Sequence, residues 1–244
     1  MRVPAILIAL LGAALAARPA LADDPAAAKC AAPPELIQDD PRLPMIAQAL
    51  QQHKPMVIVV IGGASTAGTA PDNSFPHFLE AALRARHPGQ TITVVNRGVA
   101  GDTTEQMAAR FPKDVYSSRP SLVIWETGTV DSVRGEGVDS VAEALSEGLT
   151  AIQGHGAEAM LMDMQYNPNT VSVINFQPYL DALHQTADQQ DVYMFKRYEL
   201  MKYWSGAGDF NFTNVPREKR ALLAREFYEC LGERLADAIE YAAR

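Results

Sequence analysis

Histidine is scarce in this chain and runs out early. The five histidines are His53, His77, His87, His155 and His184, and none follows. They show no ligand-like spacing with one another or with the two cysteines, Cys30 and Cys230, so neither a metal nor another cofactor is expected. Basic charge is also short, with 21 Lys and Arg against 29 Asp and Glu and a net charge of −8. Such a surface disfavours nucleic acid and anionic membranes as partners. Beyond the first residues no apolar run is long enough to span a bilayer. The glycine-rich stretch Gly62-Gly63-Ala64-Ser65-Thr66-Ala67-Gly68 lacks both the Lys-Ser/Thr ending of a phosphate loop and the G-x-G-x-x-G of a dinucleotide site, which argues against nucleotide binding.

The N-terminus carries what the rest lacks. Arg2 precedes an apolar run from Val3 to Ala17, and Ala20-Leu21-Ala22 supplies an Ala-x-Ala site. A positive start, a short apolar segment and small residues at a cleavage point predict a secretory signal peptide over residues 1–22, and hence a periplasmic or secreted protein beginning at Asp23. A lipoprotein would need a cysteine directly after the cleavage site, and Cys30 stands too far along. In an oxidising compartment an isolated cysteine pair is expected to form a disulfide, here Cys30 to Cys230, tying an N-terminal arm to the last helix. Residues 23–54, rich in Ala, Pro and Asp, read as that exposed arm, with a short helix near Leu43 to Gln52.

A regular alternation then begins. Apolar runs of strand length recur at 56–61, 91–96, 121–126, 157–163 and 191–195, separated by helical segments. Short, wholly apolar strands alternating with helices predict a five-stranded parallel sheet covered on both faces, a single three-layer α/β/α domain over residues 55–244. Ser74 reads as a helix N-cap, and Thr103 with Gln106 as a capping box. Leu223, Phe227, Leu231, Leu235 and Ile239, four apart, give the last helix, about 217–242, one apolar face. Ligands in such folds bind beyond the C-terminal ends of the strands, so the loops after Ile61, Asn96, Glu126, Asp163 and Phe195 matter most.

Three of these loops resemble the sequence blocks of the SGNH, or GDSL-like, hydrolases. "NRGVAGDTT" resembles the family's N-x-G-x-x-G-D-T-T, "VIWETGTVD" its V-I-x-x-G-T-N-D, and "VIGGASTAG" its G-D-S-x-T-x-G. The resemblance covers most of the chain after the signal peptide and implies a flavodoxin-like α/β/α sandwich with esterase or acyl-hydrolase chemistry. That chemistry uses a serine nucleophile, a histidine from a late D-x-x-H segment oriented by its aspartate, and an oxyanion hole shared by the serine N–H, the second-block glycine and the third-block asparagine. The glycine falls on Gly101. The asparagine position falls on Val130, which has no side-chain donor, beside Asp131. The late histidine has no counterpart: one register places D-x-x-H on Asp209 to Phe212, another on Lys219 to Leu222. Counting back from Gly68 puts the nucleophile at Ala64, whereas a register with one deletion puts it at Ser65.

The resemblance therefore implies a pocket lined by Gly62 to Ser65, Gly101, Val130, Gln165 and Tyr166 in a protein without esterase chemistry. It would bind a glycan, an acyl ester or an active partner enzyme. The alternative is a weak or rewired esterase, deacetylase or acyltransferase using Ser65, with His184, Asp131 or Asp209 as base. His184, mid-helix in "YLDALHQTADQQ", otherwise reads as a solvated or capping histidine. The mixed aromatic and basic stretch 196–204, "KRYELMKYW", reads either as packing under a basic surface or as a partner-binding rim. Asp102 and Asp131 read most simply as residues that orient backbone amides.

Overall fold

The computed structural model describes residues 30–40, 42–210, 212 and 215–244. The signal peptide expected at 1–22 lies outside them. In chain order the elements are α1 (Pro44–Gln51), β1 (Met56–Gly62), α2 (Ala64–Ala67), α3 (Phe75–Arg86), β2 (Ile92–Gly98), α4 (Thr104–Ala109), α5 (Phe111–Asp114) and β3 (Leu122–Glu126). They continue with α6 (Thr129–Arg134), α7 (Val138–Gly154), β4 (Glu158–Met162), α8 (Pro168–Val171), α9 (Gln177–Gln189), β5 (Tyr193–Phe195), α10 (Arg197–Gly206) and α11 (Arg217–Ala242).

The strands form one parallel sheet in the order β2-β1-β3-β4-β5. Side chains alternate between its faces, as strand geometry requires. Ile58, Val60, Ile124, Met160 and Met162 point to one face and pack with Leu79 and Leu83 of α3 and Leu231, Leu235 and Ile239 of α11. Val59, Ile61, Val123, Trp125 and Leu161 point to the other and pack with Met107 of α4, Leu145 and Leu149 of α7 and Leu183 of α9. Both faces are covered, which is why the strands carry unbroken apolar runs. The chain leaves β1 toward β2 on one side and continues from β3 on the other. The loop after β1 therefore sits at the topological switch point, where ligand crevices form in open α/β sheets.

Two expectations need correction. The described part of the stretch read as an exposed arm keeps many exposed residues but is seated on the domain by a few buried ones. Ile37, Leu43, Ile46 and Ala49 are buried in the core shared with α11, so residues 30–54 belong structurally to the domain. The helix expected near 43–52 is present as α1, its first amides capped by the Glu158 carboxylate, which accepts from Met45 N (2.6 Å) and Ile46 N (3.0 Å). Ser74 does precede α3 but does not cap it: its buried hydroxyl lies 3.5 Å from the Pro71 carbonyl and accepts from Asn96 Nδ2 at 3.3 Å. The Thr103–Gln106 capping box is present in full. Cys30 and Cys230 are joined by a disulfide.

Candidate functional site

The first loop is built on a single helical turn. Gly63 occupies the N-cap and Ala64 the first helical position, exposed to solvent, while Ser65 and Thr66 turn inward and are buried. What holds this turn is a carboxylate from the neighbouring strand. Glu126 Oε2, at the end of β3, accepts from Gly63 N and Thr66 N (both 3.2 Å) and from Thr66 Oγ1 (2.5 Å). A carboxylate receiving the first amides of a helical turn is the charge-favoured arrangement at a helix N-terminus. Gly62 has no room for a Cβ, because Thr66 Oγ1 and the Glu126 side chain fill the place it would take.

The other carboxylate oxygen, Glu126 Oε1, accepts from Arg197 Nη2 at 3.0 Å, and Arg197 Nη1 donates to Ser65 Oγ at 2.9 Å. Arg197, at the start of α10, is fully buried, and Glu126 is 3% exposed. A charged pair therefore fills the space beneath the first loop. Its chemical consequence for Ser65 is direct. A serine becomes a nucleophile when a neighbouring base accepts its proton, and a guanidinium stays protonated and has no acceptor atom. Sequence reasoning missed both Glu126 and Arg197 as site residues. The available signal was charge at the C-terminal end of two apolar strands: Glu126 closing "LVIWE", and Lys196-Arg197 directly after "YMF".

The second and third loops are tied to the first. Asn96 Nδ2 donates to the Thr66 carbonyl (2.7 Å), and Asn96 Oδ1 accepts from Gly98 N (2.9 Å). Gly101 takes a left-handed conformation, φ +88°, and its carbonyl accepts from Arg134 Nη2 at 2.7 Å. Asp102 accepts from Arg110 Nε (2.7 Å), which also donates from Nη2 to the Arg97 carbonyl (2.8 Å). Asp131 is buried, and its Oδ1 accepts from Thr104 N at 2.9 Å, joining the third loop to the second. Its Oδ2 has no partner among the described residues. Val130, half-buried in the first turn of α6, offers only an aliphatic side chain.

The fourth loop separates the remaining expected residues. Gln165 N donates to Thr129 Oγ1 (3.1 Å), which anchors it to the third loop. Tyr166 instead meets Tyr198 edge-on at 5.3 Å and lines a cleft with Trp204, Phe210 and Phe212. His184 does not cap a helix; its side chain, 37% exposed, is partly solvated but also paired. Its Nε2 lies 3.0 Å from Asp163 Oδ2, and Asp163, 1% exposed, also accepts from Tyr198 N at 2.7 Å. Ser65 bonds Arg197 and, among the described residues, no histidine. Asp209 sits in the turn after α10, its N–H donating to the Trp204 carbonyl. Phe212, where one register places the family's histidine, stands edge-on to Phe227 at 6.0 Å.

The hydrogen bond to Asp163 holds His184 charged above the ordinary 6.5, with partial burial opposing it. A histidine whose pKa rises on folding stabilises the fold fully below about pH 6.5 and loses that contribution as pH climbs through the raised value. His184 should titrate above 6.5 by NMR, and His184→Gln should flatten the fall in urea stability across that range. A titration at or below 6.5 would show that the pair does not form in solution.

Residues 29–244 match the Non-GDSL lipase-like family. Among curated proteins, an arylesterase of Vibrio mimicus is 32% identical over 114 residues, 46% of this chain and 56% of that protein. Esterase TesA of Pseudomonas aeruginosa is 28% identical over 119 residues, 49% of this chain and 59% of that protein. The alignments thus span little more than half the length of these relatives. Among solved structures, LAE5, an α/β hydrolase from the metagenome of Lake Arreo, superposes with a TM-score of 0.62 at 18% identity, covering 75% of this chain and 95% of LAE5.

Proposed function

Because this chain belongs to the Non-GDSL lipase-like family of SGNH/GDSL-like hydrolases, we propose that it is an exported member that keeps the fold without ester hydrolysis and acts as a ligand-binding or accessory protein. One observation carries the proposal. The serine of the first loop is buried with its hydroxyl on the Arg197 guanidinium, and the exposed position at the head of that turn is Ala64. The oxyanion-hole position at Val130 adds no donor, and removing one such donor typically lowers rate by about 10²–10³-fold. Export is supported by the N-terminal sequence and by the Cys30–Cys230 disulfide, a bond that persists in oxidising compartments.

The purified protein should show no hydrolysis of short-chain aryl esters and no labelling by a fluorophosphonate. Ordinary enzymes turn over at about 10 s⁻¹. Turnover above roughly 1 s⁻¹ that Ser65→Ala abolishes would sink the proposal and establish the rewired esterase in its place. Ser65→Ala is instead expected to act on stability, lowering it by about 1–3 kcal/mol because it removes an acceptor from a buried charged donor.

A further inference from the structure

A second cleft lies further along the α10 face that Arg197 presents to the first loop. Arg197, Met201 and Trp204 lie at i, i+4 and i+7, one face of that helix. Arg197 reaches the first loop, while Met201 and Trp204 line the cleft, so the same face serves both places. Tyr166, Phe210, Phe212 and Phe227 complete an aromatic wall, and the cleft holds about 70 Å³ of space. Trp204 meets Phe210 and Phe227 edge-on at 5.3 and 6.1 Å, and its indole N–H donates to the Ala31 carbonyl at 2.8 Å, next to the disulfide. The wall is therefore fixed from behind.

We propose that this cleft binds one neutral pyranose unit of a glycan chain. No charged side chain lines it among the described residues, which leaves a charged ligand without a counter-ion. The lining is not purely apolar: Asn167, Asn169 and Ser205 face the same space. Asn167 Oδ1 is already engaged by Asn169 N and Thr170 N, but an apolar tail would cover the other two polar groups and offer them nothing, which is costly. The Asn169 amide and the Ser205 hydroxyl make no hydrogen bond among the described residues and are free to meet sugar hydroxyls. A pyranose presents a C–H face to the negative face of an aromatic ring and hydroxyls at its edge. The space falls below the roughly 300–1,000 Å³ of sites that enclose a whole small molecule, and suits one unit of a longer chain. The cleft opens beside Tyr166, in the loop that follows β4, on the ligand-binding side of the sheet.

The test is calorimetric titration of the whole exported protein with neutral xylo-, cello- and chito-hexasaccharides, and separately with octanoate and an oligogalacturonate. At least one neutral hexasaccharide should bind. Phe212→Ala, at a side chain already 38% exposed, should weaken it roughly tenfold, about the worth of one aromatic contact. Asn169→Ala, on the exposed rim, should weaken it as well and serves if the first variant does not fold. Absence of binding by every neutral hexasaccharide at about 10 mM, tighter binding of octanoate or of the oligogalacturonate, or unchanged affinity in a folded variant would each overturn the proposal. Ester turnover is a separate measurement: its appearance would overturn the non-hydrolytic reading and leave the cleft untouched.

Discussion

Arg197→Met should destabilise the protein by about 3–5 kcal/mol, the range found when one partner of a buried ion pair is removed. The reason lies in the asymmetry of the site. Arg197 is fully enclosed and Glu126 nearly so, and the bond between them is 3.0 Å. Without the guanidinium, the Glu126 carboxylate keeps its donors from Gly63 and Thr66 but loses its counter-charge in a place water does not reach. Glu126→Gln should be costly for the complementary reason, stranding the guanidinium. Glu126→Gln combined with Arg197→Met leaves neither charge. The introduced glutamine retains an acceptor for the first-loop amides, and the introduced methionine keeps much of the apolar volume. The double variant should therefore be more stable than the sum of the singles by at least about 2 kcal/mol, measured as a double-mutant cycle in urea. Singles that add to within about 0.5 kcal/mol would show that the two charges do not act as a pair.

This pair also explains why the first loop misleads when read from sequence. "VIGGASTAG" presents one serine after a strand, and a serine there invites a catalytic reading. Whether that serine faces solvent or core depends on which residue heads the helical turn. That in turn depends on Glu126 and Arg197, 71 residues apart in the chain. No local pattern contains that contact. The sheet was legible because its strands are buried on both faces and so appear as apolar runs, each located to within about two residues. The last helix was legible from its four-residue spacing, and the α4 cap from the Thr-x-x-Gln signature.

What escaped has a common cause in sparse or long-range contacts. Residues 23–54 look like an exposed arm because Ala, Pro and Asp dominate, yet a few apolar side chains, Ile37, Leu43, Ile46 and Ala49, suffice to seat the described part. His184, in the middle of α9, gives no sign of Asp163, which follows β4. Phe212 stood out only as a place where a histidine was missing, and Phe210 not at all. The packing of Phe210 on Trp204 and Phe227, and of Phe212 on Phe227, was not written in any spacing.

Replacing Cys30 and Cys230 by serine should lower global stability by about 2–5 kcal/mol, up to the chain-entropy ceiling of about 5 kcal/mol for a loop this long. The disulfide spans a sequence separation of 200 residues, so it restrains nearly the whole unfolded chain. The expected loss is global rather than a local fraying, because the segment it fastens is part of the core. Tyr193 Oη donates to the Ile37 carbonyl, Lys196 pairs with Asp39 at 2.9 Å, Leu43 N donates to the Ala242 carbonyl at 2.9 Å, and Ile37, Leu43 and Ile46 are buried behind them. Freeing that segment would uncover α11 and the edge of β5 together. The melting temperature should fall by roughly 5–15 °C, given about 2–4 °C per kcal/mol for a chain of this size. Hydrogen exchange distinguishes the outcomes. In the double-serine variant, protection should fall in β1 and β3 as well as in residues 30–51. Loss confined to 30–51 with an unchanged urea midpoint would show that the segment detaches alone and that the disulfide fastens only a strap.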